Sequence, residues 1–195
     1  MNIRIAKKED ARQIAEIHRK EIKTGFLSSL PISFLTKFYE AITLSPHGVC
    51  VVALEKERVV GFIAGTTNLK HFYKYFMSRY FFKAGVHLLP KLFSINKVKR
   101  IVENLLYPKK SSELPKAELL VIAIHRGLQG YGLGGRMLNV FVAEMKKCKV
   151  AEFKVVVGEE LKHAIKFYEK SGFEFLTTIT VHGKEPSRVY KYKIL

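Results

Sequence analysis

Isoleucines alternating with Asn2 and Arg4 predict a short strand over residues 2–5. After the acidic pair Glu9-Asp10, residues Ala11, Ile14, Ala15, His18 and Ile22 recur at helical spacing behind an acidic first turn. A second helix opens near Pro31 and Ser33, with Phe34, Leu35, Phe38 and Ile42 on one face. Proline suits that first turn because its missing N–H has no intrahelical partner to lose. Residues 49–54 and 59–64 read as strands, and Glu55-Lys56-Glu57-Arg58 between them reads as a hairpin turn. The order so far is strand, two helices, antiparallel pair.

The same rhythm returns at Ala117. Residues 118–124 predict a strand, and Leu133, Met137, Leu138, Phe141 and Met145 stripe a helix behind a glycine-rich turn. Residues 153–157 predict another strand, and Leu161, Ala164, Ile165 and Tyr168 stripe a further helix. Gly172 stands where a helix C-terminal glycine belongs. Residues 173–181 and 188–194 pair across a turn at 182–187. Neither an internal repeat nor a low-complexity tract is visible, so a single α/β domain over residues 1–195 is expected.

Residues 69–115 interrupt this pattern. Leu69, Phe72, Tyr73, Phe76 and Tyr80 form one helical stripe, and Val98, Ile101, Val102 and Leu105 form another beyond Gly85 and Pro90. Nine aromatic residues fall between 69 and 110, together with ten basic residues and one acid, Glu103. The segment reads either as a helical insertion packed on the domain with its lysines in solvent, or as a patch that binds a partner directly. The whole chain carries 34 Lys and Arg against 17 Asp and Glu, a formal +17. That field favours anionic partners, whether phosphorylated small molecules, nucleic acid or an anionic membrane surface, and argues against a polycationic substrate. Cys50 and Cys148 are too few for a disulfide framework and read as reduced thiols. With no signal-peptide core and no spanning apolar run, a cytoplasmic location is expected.

The turn Gln129-Gly130-Tyr131-Gly132-Leu133-Gly134-Gly135 lies between a strand and a helix. Glycines there let successive N–H groups face an anion, and the helix dipole adds to the attraction, so a phosphate or pyrophosphate site is inferred. Gly130, Gly132 and Gly135 formally satisfy the dinucleotide spacing, with Glu159 near the place of a ribose-binding acid. However, residues 125–129 separate the strand from the glycines, and a hairpin rather than βαβ repeats precedes the unit. A Walker loop fails for want of the Gly-Lys-Ser/Thr end.

The alternative spacing, Gln129-x-x-Gly132-x-Gly134, resembles the acetyl-CoA signature of the GNAT superfamily of N-acetyltransferases. A second signature of that family, Ala-x-x-x-Tyr-x-x-x-Gly-Phe, is matched by Ala164, Tyr168, Gly172 and Phe173. The element order over residues 2–68 also resembles it, whereas residues 69–115 fall outside the family's pattern. The resemblance implies a mixed, mostly antiparallel sheet flanked by helices, with a helical insertion between the third and fourth strands. It implies acetyl-CoA as cosubstrate, a primary amine as acceptor, and direct transfer with no metal.

By the same resemblance, the turn from Gln129 through Gly130, Tyr131, Gly132, Leu133 and Gly134 to Gly135 holds the cofactor's pyrophosphate. Main-chain groups near Ile122 and Ile124 hold the pantetheine arm. Tyr168 matches the tyrosine that gives a proton to the leaving thiolate. Glu118 stands at a strand position that supplies the general base in some members; its other reading is a solvated strand-edge residue near Lys116. By simple alternation Glu118 shares a face with Leu120, Ile122 and Ile124, where apolar neighbours would push its acidity toward neutrality. Leu161 stands where many members carry asparagine. His18, on an apolar helix face, reads as a core histidine, and no metal-ligand spacing occurs. The insertion is expected on the acceptor side, where its aromatics and lysines suit an amino sugar carried on a phosphate. Two alternatives stay open: a CoA-binding module without turnover, and a nucleic-acid- or membrane-surface-binding protein acting through residues 69–110. A homodimer is compatible with the sequence.

Overall fold

The computed structural model describes residues 1–24, 27–80, 114–181 and 185–195. Its strands are β1 (Asn2–Ile5), β2 (Gly48–Glu55), β3 (Arg58–Thr66), β4 (Glu118–Ile124), β5 (Glu152–Gly158), β6 (Glu174–Val181) and β7 (Glu185–Lys193). Its α-helices are α1 (Ala11–Glu21), α2 (Ile32–Leu44), α3 (Leu69–Tyr80), α4 (Leu133–Lys147) and α5 (Lys162–Lys170). The strands form one seven-stranded sheet in the order β1-β2-β3-β4-β5-β7-β6. All neighbours are antiparallel except β4 and β5. The mixed, mostly antiparallel sheet anticipated from the sequence is therefore present.

Helices cover both faces. On one face α1, α2 and α3 bury Ile14, Leu35, Phe38 and Phe72 against Val52 and Phe62. On the other, α4 and α5 bury Met137, Phe141, Ile165 and Tyr168 against Ile63, Phe153 and Val155. β3 is buried along nearly its whole length because it lies between these two layers. The β2–β3 hairpin turns on Lys56 and Glu57, whose φ values of 45° and 65° match the twist of the strands without a glycine.

α3 begins the segment that departs from the rhythm of the chain. Its inward stripe is the one anticipated: Leu69, Phe72, Tyr73 and Phe76 are buried. Phe38 of α2 meets Phe72 and Phe76 edge-on, with ring centroids 5.6 and 5.7 Å apart. The second expected stripe, Val98 to Leu105, lies outside the described residues. Leu69 N–H donates to Lys116 O at 3.0 Å, which brings the two ends of the segment together beside the start of β4.

One irregularity shapes everything downstream. Ala64 pairs with Val121 but Gly65 pairs with Leu119, so Leu120 is an extra residue in β4, a β-bulge. Gly65 permits it: a Cβ there would sit 2.6 Å from Glu118 O and 2.6 Å from the Phe141 ring. The bulge reverses the facing of β4 at its midpoint. Leu119 belongs to the α4–α5 layer, Leu120 and Val121 to the α1–α3 layer, and Ile122 and Ile124 to the α4–α5 layer again. The expectation that Glu118 shares a face with Ile122 and Ile124 is thus overturned, because alternation counts residues and a bulge adds one.

Candidate active site between diverging strands

β4 and β5 pair in parallel only through Glu118–Lys154 and Leu119–Val155. Beyond the bulge the two strands separate, and among the described residues no strand pairs with residues 120–124 of β4 on that side. Unpaired backbone donors and acceptors in a sheet interior need a partner, so the opening is a place for an extended ligand. The wedge passes through the sheet, which gives one opening two chemically distinct sides.

At the open end of the wedge stands the glycine turn. A short 3₁₀ turn, Arg126–Leu128, leads into it, and the Gln129 side-chain amide donates to Ile124 O at 2.8 Å. Gln129 therefore pins the turn to the end of β4. Gly130 and Gly132 take φ values of 86° and 74°, a region that favours glycine. A Cβ placed on Gly130, Gly132 or Gly135 would meet nothing within 4 Å, so this surface faces open space. The first helical hydrogen bond of α4 runs from Arg136 N–H to Gly132 O at 3.2 Å. The N–H groups of Leu133, Gly134 and Gly135 are consequently left without intrahelical acceptors at the positive end of the helix. Tyr131 is 81% exposed at the tip. These features fit a pyrophosphate carried by the turn's backbone.

On the α4–α5 side, Ile122 and Ile124 are half-buried and Tyr168 is buried between Phe167 and Phe173. Burial alone pushes the Tyr168 phenol up, which keeps it protonated at neutral pH. On the opposite side, Glu118 and Lys154 are both buried, with Oε2 and Nζ 3.2 Å apart. Lys154 Nζ also donates to Pro115 O at 2.5 Å. The Glu118 carboxylate is therefore shared with an ammonium group, not surrounded by apolar side chains as alternation led one to expect. Tyr73 of α3 lies close enough that, beyond the effect of burial, the Glu118 charge helps push its phenol up. Glu159 pairs with Arg188 at 3.4 Å, and Leu161 is a 41% exposed residue at the start of α5.

His18 is a satisfied core residue. Ser28 Oγ donates to Thr24 O at 3.0 Å, so it accepts from His18 Nε2 at 3.3 Å, and the Tyr39 hydroxyl then donates to Nδ1 at 2.5 Å. Burial pushes the imidazole down to about 4. The unfolded chain, with histidine near 6.5, binds a proton that the native state refuses. Stability supplied by neutral His18 is complete above about pH 6.5 and is lost as pH falls toward about 4, by up to about 3 kcal/mol. Denaturant midpoints at pH 7 and pH 4.5 should show this loss, and a His18→Gln protein should show a smaller one.

A model of the acetyltransferase (GNAT) family matches residues 13–173. The chain belongs to the GNAT family of acetyltransferases. Its fold is also that of several solved GNAT enzymes. The ribosomal-protein-alanine N-acetyltransferase of Brucella melitensis is 14% identical with a TM-score of 0.64, covering 99% of each chain. The ribosomal-protein-S18-alanine N-acetyltransferase of Escherichia coli is 15% identical with a TM-score of 0.62, covering 99% of this chain and 93% of its own. The yncA protein of Salmonella typhimurium, solved with its cofactor acetyl-CoA, is 16% identical with a TM-score of 0.62, covering 100% and 94%. At these identities the likeness is one of fold. No curated protein matches the sequence.

Two buried or half-buried charged residues were not singled out from the sequence, Lys154 and Glu21. Lys154 is a lone lysine inside the apolar run Phe153 to Val157, and that break in pattern was the available signal. Glu21 lies one turn past Ile17 and two past Ile14 on the inward stripe of α1, where a carboxylate is out of place. Among the described residues no group of three or more potential metal ligands occurs, and no helix is long and apolar enough to cross a membrane. Cys50 and Cys148 are free, one buried and one exposed.

Proposed function

We propose that this GNAT protein moves the acetyl group of acetyl-CoA directly to a primary amine, in the wedge between β4 and β5. The observation that carries the reading is the wedge itself, closed at Glu118–Lys154 and Leu119–Val155 and open at a glycine turn whose following N–H groups lack intrahelical acceptors. In this reading Gln129 to Gly135 hold the pyrophosphate, and the main chain near Ile122 and Ile124 takes the extended arm. A β4 backbone N–H polarises the thioester carbonyl, which is where negative charge develops. The amine nitrogen bonds to the acetyl carbon as the carbon–sulfur bond breaks. Tyr168 gives its phenolic proton to the departing thiolate and is restored from solvent. Glu118 takes the proton that the amine releases, with Lys154 holding the carboxylate in place. In this reading the base and the acid approach the acetyl carbon from opposite sides of the sheet, and the bulge in β4 supports it by setting Glu118 on the face opposite Ile122 and Ile124.

For the acceptor we propose an amine on a neutral or anionic small molecule such as an amino sugar. The basic surface supports this: Lys70, Lys74 and Arg79 of α3 face solvent. The aromatic side of α3 does not, since Phe72, Tyr73 and Phe76 are buried against the domain and are unavailable to stack on a ring. The test is thiol release by the purified protein from acetyl-CoA with a panel of amino sugars, amino acids and peptides, repeated with Lys74→Glu/Arg79→Glu. Release with an amino sugar and a KM for that acceptor raised severalfold by charge reversal, at unchanged KM for acetyl-CoA, is expected. Release only with peptides would reassign the acceptor, and acetyl-CoA binding without release would make the protein a CoA-binding module.

A further inference from the structure

Among the described residues one buried side-chain polar atom has no hydrogen-bond partner, Oε1 of Glu21. A carboxylate oxygen withdrawn from water without a donor is costly, and such atoms in native proteins call for an explanation. The surroundings make the orphan more notable. The chain holds 34 Lys and Arg, and Glu16 on the outer face of α1 finds Arg12 at 3.2 Å, yet among the described residues Glu21 pairs with no cation. Its place explains why. Ile14, Ile17 and His18 are buried on the side of α1 that faces the sheet, and Glu21 continues that stripe at the last turn of the helix. The solvated positions Arg12, Glu16 and Arg19 lie on the other side.

The end of α1 that carries Glu21 also reaches the wedge. Lys20 Nζ lies 3.0 Å from Nε2 of His125, the residue that follows β4. One turn before Glu21, the His18 ring stacks near Phe62, whose partner in β4 is Ala123. The last turn of α1, which carries Glu21, therefore lies on the α1–α3 side of the sheet near the end of β4 that has left β5.

We propose that Glu21 is the binding group for the acceptor's ammonium, and that the ligand class is a protonated primary amine. An ammonium brings both things the orphan oxygen lacks, a strong N–H donor and a positive charge. Glu21 so placed selects cationic amines over amides and alcohols of similar size at the mouth of the wedge, before the proton leaves for Glu118. The inference deepens the acetyl-transfer reading and rests on it for its functional meaning.

The experiment titrates ethanolamine, a minimal primary ammonium, into the CoA complex of the wild type, Glu21→Gln and Glu21→Asp by calorimetry, with acetamide as neutral control. Losing a charge-assisted hydrogen bond should weaken ethanolamine binding roughly 10- to 100-fold in Glu21→Gln. Glu21→Asp should retain most of the affinity, acetyl-CoA affinity should not change, and acetamide should bind neither protein. The melting temperature of Glu21→Gln should not fall, because an orphan charge has been replaced by a neutral amide. Equal ethanolamine affinity in wild type and Glu21→Gln, or no saturable binding by the wild type, overturns the inference. Thiol release from acetyl-CoA is followed separately. Glu21-dependent ethanolamine binding with no release for any amine would remove the transferase reading and leave the ammonium site standing.

Discussion

A Gly135→Glu protein should fold with a wild-type melting temperature and bind acetyl-CoA at least about 100-fold more weakly. Gly135 lies in the first turn of α4, and a Cβ there meets nothing within 4 Å. The new side chain therefore costs the fold little. What it changes is the surface proposed to face the pyrophosphate, where a carboxylate would sit among backbone N–H groups and repel the ligand. The same substitution at Gly132 is a poorer test, since its φ of 74° adds about 1–2 kcal/mol of backbone strain to the loss of binding. Acetyl-CoA should raise the melting temperature of the wild type through linkage and leave that of Gly135→Glu unmoved. A folded Gly135→Glu protein with wild-type acetyl-CoA affinity would take the turn out of the cofactor site.

Tyr168→Phe should slow turnover by roughly 100-fold with acetyl-CoA affinity nearly unchanged. The substitution removes one oxygen from a side chain otherwise held by Phe167 and Phe173, so packing is kept. Because burial pushes the phenol up, the hydroxyl stays protonated across the neutral range and is available for the proposed donor role. The loss should therefore appear in kcat, not in binding, and should persist from pH 6 to pH 9. Pre-steady-state thiol release would separate chemistry from product release. A wild-type rate in Tyr168→Phe, with chemistry shown to limit turnover, would remove the proton-donor role.

The site was legible in the sequence to unequal degrees on its two sides. The glycine turn and the Tyr168 helix are local objects: their residues lie close together in the chain and their periods are those of a turn and a helix. The side proposed to meet the acceptor is not local. Glu21 comes from α1, Glu118 from β4 and Lys154 from β5, and no spacing in the sequence connects them. Gln129 shows the difference within one motif. Its position was plain, but its hydrogen bond to Ile124 O makes it a brace for the turn, which only the fold reveals.

By itself the sequence determined the order of the described elements and the family: periods of two and 3.6 residues mark the strands and helices, though β7 starts at Glu185 inside the expected turn, and Gly132, Gly134, Tyr168 and Gly172 mark two local motifs. The tertiary structure decided which face each residue of β4 presents. One extra residue at Leu120, accommodated because Gly65 has no side chain, turns Glu118 away from Ile122 and toward Lys154 and Tyr73. It also decided that the aromatic stripe of α3 belongs to the core. Periodicity records that a stripe is apolar, but whether it meets α2 or a ligand depends on what the chain folds against it, and that is a property of packing between distant segments.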